Sequence, residues 1–177
     1  MIVRKIVKKV IRTVGGGKLY VKNIFLNTLG NSPLCPLWLR RLIYRLCGHI
    51  ITTVFSSCFL GEGPGKLRIG KGTYCNHCCF FDLGGDITIG KNCCIAMRVS
   101  FINGTHEFGN KERRGGKGYV LPIVVEDGCW IGAGVTILPG VTVKKGCIIA
   151  SGALVNKDCE ENGLYAGVPA KRIRELK

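Results

Sequence analysis

Residues 125–157 read VEDGCW-IGAGVT-ILPGVT-VKKGCI-IASGAL-VNK, and cut every six residues the stretch puts a branched aliphatic at the head of each block: Val125, Ile131, Ile137, Val143, Ile149 and Val155. Four positions on, a slender residue recurs: Cys129, Val135, Val141, Cys147 and Ala153. The period is neither the 3.6 of a helix nor the two of a strand. A fixed short period marks a solenoid, whose repeats are too short to bury an apolar face alone and must stack. Six residues suit one side of a triangular coil, a short extended piece followed by a turn. Three sides make a coil, and coils would stack roughly 4.8 Å apart, as paired strands do. The heads then fill the prism and the slender residues sit near its corners.

The same beat is heard earlier, at Ile69, Cys75 and Phe81. It slips by two around Gly84-Gly85 and resumes at Ile89, Ile95 and Phe101. Slender partners are expected four on, at Thr73, Cys79, Gly85, Cys93, Val99 and Thr105. Residues 48–66 are apolar and strand-like without a clean register, which suggests an irregular first coil.

The chain has 177 residues, enough for one domain with an appendage. Its eleven cysteines accompany a basic start with no apolar signal-peptide core, so a disulfide framework is not the reading. Several take repeat positions and read as small buried apolar groups in a reducing cytoplasm. Cys75-x-x-Cys78 has no second pair at zinc-site spacing, so no metal site is expected.

Charge is uneven. Residues 1–61 hold ten Lys/Arg and no acid, against sixteen Lys/Arg and eleven acids in the remainder. Residues 1–14 read as an amphipathic helix, with Val3, Ile6, Val7, Val10, Ile11 and Val14 opposite five basic residues, and Gly15-Gly16-Gly17 stops it. Leu19 to Leu29 is a second apolar stretch. Leu37 to Cys47 is another basic amphipathic helix, with Trp38, Leu39, Leu42, Ile43 and Leu46 against Arg40, Arg41 and Arg45. None reaches the length of a spanning helix. Such helices either cap the solenoid's open end or lie on an anionic membrane surface, and both can hold. Nucleic acid is disfavoured, because the aromatic interleaving for base stacking is missing. The division is therefore residues 1–47 as a basic helical segment, 48–166 as the solenoid, and 167–177 as a tail read as a short helix.

Between Thr105 and Val125 the repeat stops, and a polar, glycine-rich loop, 106–122, is thrown out at His106. A loop interrupting a regular scaffold is where function tends to sit.

Residues 67–177 resemble the left-handed β-helix hexapeptide-repeat acetyltransferases, in particular the maltose, galactoside and capsular-polysaccharide O-acetyltransferases. The matching motifs are IGKGTYCN at 69–76, ITIGKNCCIA at 87–96, GTHEF at 104–108, WIGAGVTILPGVTV at 130–143 and AGVPAKRIRE at 166–175. The resemblance implies an all-β left-handed parallel β-helix, acetyl-CoA as acyl donor, and a homotrimer with active sites between subunits. It also implies a sugar or glycan acceptor. The basic, acid-free N-terminus departs from the maltose and galactoside pattern. It is more like enzymes acting on surface polysaccharide or lipopolysaccharide units.

O-acetyl transfer needs a base for the hydroxyl proton and donors for the developing oxyanion. By motif, His106 matches the catalytic histidine. What orients its other ring nitrogen is open between a backbone carbonyl, Glu107 and Asp82. Asn76, Asp82 and Trp130 are the acceptor-side candidates, Asn76 reading equally as a turn residue. Gly132, Ala133 and Ser151 match positions where a thin backbone admits the pantetheine arm, and Asn156, Lys157, Lys171 and Arg174 match the end meeting the CoA phosphates. His49 and His77 read as packing and surface residues. A zinc carbonic anhydrase of this fold needs several ligand histidines, and only three histidines exist here. A xenobiotic acetyltransferase and a non-enzymatic scaffold subunit remain the alternatives.

Overall fold

The computed structural model of the chain describes residues 18–32, 34–52 and 57–177. The expected helix over 1–14 lies outside them. Helix α1 (Lys18–Asn23) runs into a π-helical stretch, Ile24–Leu29, and α2 spans Leu37–Leu46. Gly48, at φ +89°, takes the left-handed turn that ends α2, a conformation that favours glycine. Beyond it the chain winds in coils. The first holds β1 (Ile50–Ile51) and β2 (Phe59–Leu60), the second β3 (Leu67–Ile69), β4 (Tyr74–Cys75) and β5 (Phe80–Phe81). The third holds β6 (Ile87–Ile89), β7 (Cys94–Ile95) and β8 (Ser100–Phe101). A hairpin, β9 (Gly104–Phe108) and β10 (Gly115–Val120), interrupts. Then come β11 (Ile123–Val125), β12 (Trp130–Ile131) and β13 (Thr136–Ile137), followed by β14 (Thr142–Val143), β15 (Ile148–Ile149) and β16 (Leu154–Val155). The chain closes with β17 (Gly163–Ala166) and β18 (Lys171–Glu175).

Apart from the β9–β10 hairpin and β18, which pair antiparallel, these strands stack in parallel into three faces. Face 1 runs β1-β3-β6-β11-β14, face 2 runs β4-β7-β12-β15-β17-β18, and face 3 runs β2-β5-β8-β13-β16. The result is a left-handed parallel β-helix. Its register follows the heads: Ile69 pairs with Ile89, Ile89 with Val125, and Val125 with Val143. Every head from Ile69 to Val155 is buried, as are Cys75, Cys79, Cys93, Cys129 and Cys147. Alternation along each two- or three-residue strand leaves the intervening residue outside, so the prism interior is a single apolar column.

All eleven cysteines are unpaired. Burial pushes the Cys159 thiol up to about 12 and raises that of Cys75 as well, so both are neutral packing groups at ordinary pH. Inside the core Phe81 and Phe101 stack across adjacent coils, with centroids 4.9 Å apart and planes 7° from parallel.

Two expectations about corners need correction. The slots assigned to Gly85 and Thr105 are filled instead by Leu83 and Asn103, both fully buried. The two extra residues around Gly84-Gly85 widen that corner, so the inward position falls two after the head rather than four.

A third correction concerns the tail. Residues 171–175 are not helical but form β18, antiparallel to β17. The last coil presents unpaired backbone groups along Gly163–Ala166, and pairing that edge satisfies them as a free helix would not.

The helical segment closes the other end of the prism. Leu26, Ile43 and Tyr44 join the core with Ile51 and Leu60. Asn27 bonds both backbone groups of Leu60, its amide nitrogen donating at 2.7 Å and its oxygen accepting at 2.9 Å. His49 is buried, and its Nδ1 accepts the Leu67 N–H at 3.0 Å. Burial, and secondarily Lys22, lower its pKa to about 4, so the imidazole is neutral and carries its proton on Nε2. Capping is thus what the described part of this segment does. Among the described residues no helix is long and apolar enough to cross a membrane.

Candidate active site

The β9–β10 hairpin leaves the prism at the edge between faces 3 and 1, and a specific polar clamp holds its neck. Asn103, fully buried, donates its side-chain N–H to the Gly85 carbonyl at 2.7 Å and accepts the Gly85 N–H at 3.1 Å. Its own carbonyl accepts the Leu121 N–H at 2.9 Å, closing the loop. The Asp82 carboxylate accepts Gly84 N–H at 3.2 Å through one oxygen and Gly104 N–H at 2.9 Å through the other. A side chain at Gly84 would press on Val120 at 2.9 Å, so the glycine pair one coil below makes room for the neck. Asp82 therefore fixes the strand that carries His106 and makes no hydrogen bond to the ring itself.

His106 sits in β9 opposite Gly118, with Tyr119 opposite Thr105. Its ring lies across a strand almost bare of side chains: a Cβ on Gly118 would stand 3.6 Å from Cδ2 and Nε2, and one on Gly115 3.9 Å from Cγ. The imidazole is exposed and has no hydrogen-bond partner among the described residues. Glu107 points away into solvent as its neighbour in an extended strand.

The other candidates divide between two edges of the prism. Asn156 and Lys157 follow β16 on the hairpin's own edge, both exposed, and Leu121 of the hairpin packs on the Gly140 corner between them. Asn76, Ala133 and Ser151 lie on the edge between faces 2 and 3. There the Ala133 N–H donates to Ser151 Oγ at 3.2 Å, and the Gly152 N–H to the Ala133 carbonyl at 2.8 Å. Asn76 Oδ1 accepts the His77 N–H at 2.7 Å, the behaviour of a turn asparagine. Gly132 is buried, and a Cβ there would meet Ser151 N at 2.5 Å, so coil stacking already requires glycine. Gly134 and Gly152, both at positive φ with open space around a Cβ, leave this edge bare in the fourth and fifth coils.

Trp130 is 56% exposed on the outer side of face 2, in a column running Tyr74, Cys94, Trp130, Ile148, Leu164 and, across the last pair, Arg174. Lys171 and Arg174 are exposed, and among the described residues neither side chain has a hydrogen-bond or ion-pair partner. Arg172 between them is tied to the Glu161 carbonyl at 3.0 Å. A single chain thus gathers Asp82 and His106 at one edge, with Asn156 and Lys157 further along it. It holds Trp130, Ala133, Ser151 and the tail cations elsewhere, with face 3 between the two edges.

Asn103 was not singled out by sequence. The signal was present in the two-residue slip at Gly84-Gly85, which only makes sense if something from the next coil fills the widened corner. No cluster of metal-ligating side chains occurs among the described residues.

Comparison with known proteins agrees with this architecture. Residues 122–157 match the family described as bacterial transferase hexapeptide (six repeats). An inferred acetyltransferase of Saccharomyces cerevisiae is 35% identical over 137 residues, 72% of this chain and 70% of the relative. Galactoside O-acetyltransferase of Escherichia coli is 36% identical over 111 residues, 63% of this chain and 55% of that protein. The chain spans little more than half the length of several such curated relatives. Among solved structures, a hexapeptide-repeat acetyltransferase of Vibrio cholerae complexed with acetyl-CoA superposes with a TM-score of 0.80 at 30% identity, over 90% of this chain and 87% of that one. The repeat register, the interrupting hairpin and these matches lead to one assignment: the chain belongs to the hexapeptide-repeat acetyltransferases.

Proposed function

We propose that this protein transfers an acetyl group from acetyl-CoA to a sugar hydroxyl, with His106 as general base. The observation that carries the reading is the imidazole itself, exposed, unpartnered and held over glycines on a clamped hairpin. Such a ring is free to meet an incoming hydroxyl on one side. His106 takes the hydroxyl proton as the sugar oxygen bonds to the thioester carbonyl carbon. The carbon–sulfur bond then breaks, and the imidazolium returns the proton to the departing thiolate. Asp82 acts at one remove, as a positioning residue for β9. Asn76 and Trp130 are assigned to the acceptor side. Ala133 and Ser151, on a bare edge, suit the pantetheine arm, with Gly132 supporting their backbone. Asn156, Lys157, Lys171 and Arg174 are assigned to the CoA phosphates.

Because one chain keeps these groups on separate edges, the site needs a second copy, and we assign the protein as a homotrimer. Phe108 at the hairpin is fully exposed, and Tyr74 and Trp130 stand out from face 2, which gives apolar surface for neighbouring copies to cover. The name of the galactoside O-acetyltransferase relative supports a sugar acceptor. The basic N-terminal third favours an acceptor from surface polysaccharide or lipopolysaccharide. Eleven unpaired cysteines fit the reducing cytoplasm.

Donor recognition is testable through the tail. Lys171→Glu with Arg174→Glu puts negative charge where phosphates are expected, while Arg172 keeps β18 in place. The Michaelis constant for acetyl-CoA should rise about tenfold or more, as loss of charge-assisted bonds implies. The acceptor constant should move little, because the contact is remote from the reacting carbon. An unchanged donor constant in a folded variant would remove the tail from the donor site.

A further inference from the structure

One cavity in the helical cap plays no part in the acetyl-transfer reading. It is an open cleft of about 500 Å³ in the helical cap, lined by Phe25, Leu29, Leu34, Trp38, Leu42 and Leu46 among others. Among the described residues no lining side chain is charged, and the Ser32 hydroxyl is already engaged, accepting the Leu34 N–H at 3.2 Å. A small polar metabolite would require convergent hydrogen-bonding groups, and the cleft offers none. Its rim is apolar and open to water: Leu34 is 91% exposed and Trp38 68% exposed. Arg41 and Arg45, three and seven residues after Trp38, are exposed on the same side of α2.

Charge decides between the occupants. Residues 1–61 contain no acid. Seating residues 1–14 in the cleft would bring five Lys/Arg beside Arg41 and Arg45 with nothing to neutralise them. A second copy presenting the same cap in a two-fold contact would repeat the clash of like charges. An anionic lipid surface has the opposite charge, and its acyl region accepts Trp38, Leu34 and the cleft while arginines reach the headgroups.

We propose that the helical cap docks on an anionic lipid bilayer, with Leu34, Trp38 and the cleft entering the interface and Arg41 and Arg45 pairing with headgroups. This stands apart from the acetyl-transfer reading, since the solenoid residues of that site take no part.

The test uses the full chain with vesicles of phosphatidylcholine alone or mixed with phosphatidylglycerol. The Trp130→Phe background leaves Trp38 as the only tryptophan. Sedimentation with the anionic vesicles, little with neutral ones, and release at high salt are expected. Brominated lipid should quench Trp38. Arg41→Gln with Arg45→Gln should weaken partition about 25-fold, from about fivefold per basic residue near the surface. Leu34→Glu should abolish quenching at an unchanged melting temperature. Equal partition to both vesicles would overturn the proposal. So would sedimentation without Trp38 quenching, which would leave residues 1–14 as the anchor. Shielding of Trp38 from acrylamide before vesicles are added would show the cleft already covered by residues 1–14 or a second copy, and would also overturn it.

Discussion

His106→Ala is expected to lower turnover by about a hundred- to ten-thousand-fold, the usual loss when a general base is removed. CoA affinity should stay close to that of the unmodified protein, because the assigned donor contacts lie on other coils and on β18. The melting temperature should also hold, since the ring is exposed and makes no hydrogen bond among the described residues. That combination separates the two roles the residue could have. A histidine that merely braced the hairpin would lower activity and stability together. Turnover, CoA binding and thermal unfolding of one purified variant decide the matter, and near-normal turnover at an unchanged fold would send the hydroxyl proton elsewhere.

Phe101→Ala should be the most damaging core substitution near the site. Phe101 is fully buried, stacked on Phe81 in the coil below and paired in register with Ile137 in the coil above. Truncation removes transfer energy and leaves a cavity between stiff coils that collapse poorly, at a cost of about 3–5 kcal/mol. In a chain of this size that corresponds to roughly 10 °C in Tm. Phe101 also lies two residues before Asn103, so the loss falls directly beneath the hairpin neck, and activity should decline with stability. Denaturant unfolding with an unchanged slope would assign the loss to the folded core, and a shift of only a degree or two would mean that the stack contributes little.

The different outcomes in reading the sequence have physical reasons. The heads from Ile69 to Val155 were legible because a solenoid imposes one environment on each sixth residue, so the pattern is local and redundant. The cysteine positions followed from the same constraint. The tail was misread because Lys171–Glu175 has helix-compatible composition, and only the unpaired edge of β17, a tertiary fact, makes it a strand. Asn103 escaped for a related reason: its burial depends on Gly85, eighteen residues earlier. The separation of His106 from Ala133 and Ser151 depends on which edge each turn occupies. Counting sixes through the slip at Gly84-Gly85 and the excursion at 104–120 does not give that edge. Motif likeness named the candidates, and the geometry showed that one chain does not assemble them.

The central claim, transfer of acetyl from acetyl-CoA to a sugar oxygen, is tested most directly by mass spectrometry of products. The protein is incubated with acetyl-CoA and a panel of surface glycans and simple sugars, and each product is then treated with mild alkali. A gain of one acetyl group on a sugar, dependent on the protein and removed by alkali as an ester is, is the expected result. An alkali-stable amide on an amino sugar, or no acetyl gain on any acceptor by a protein that binds CoA, would contradict it.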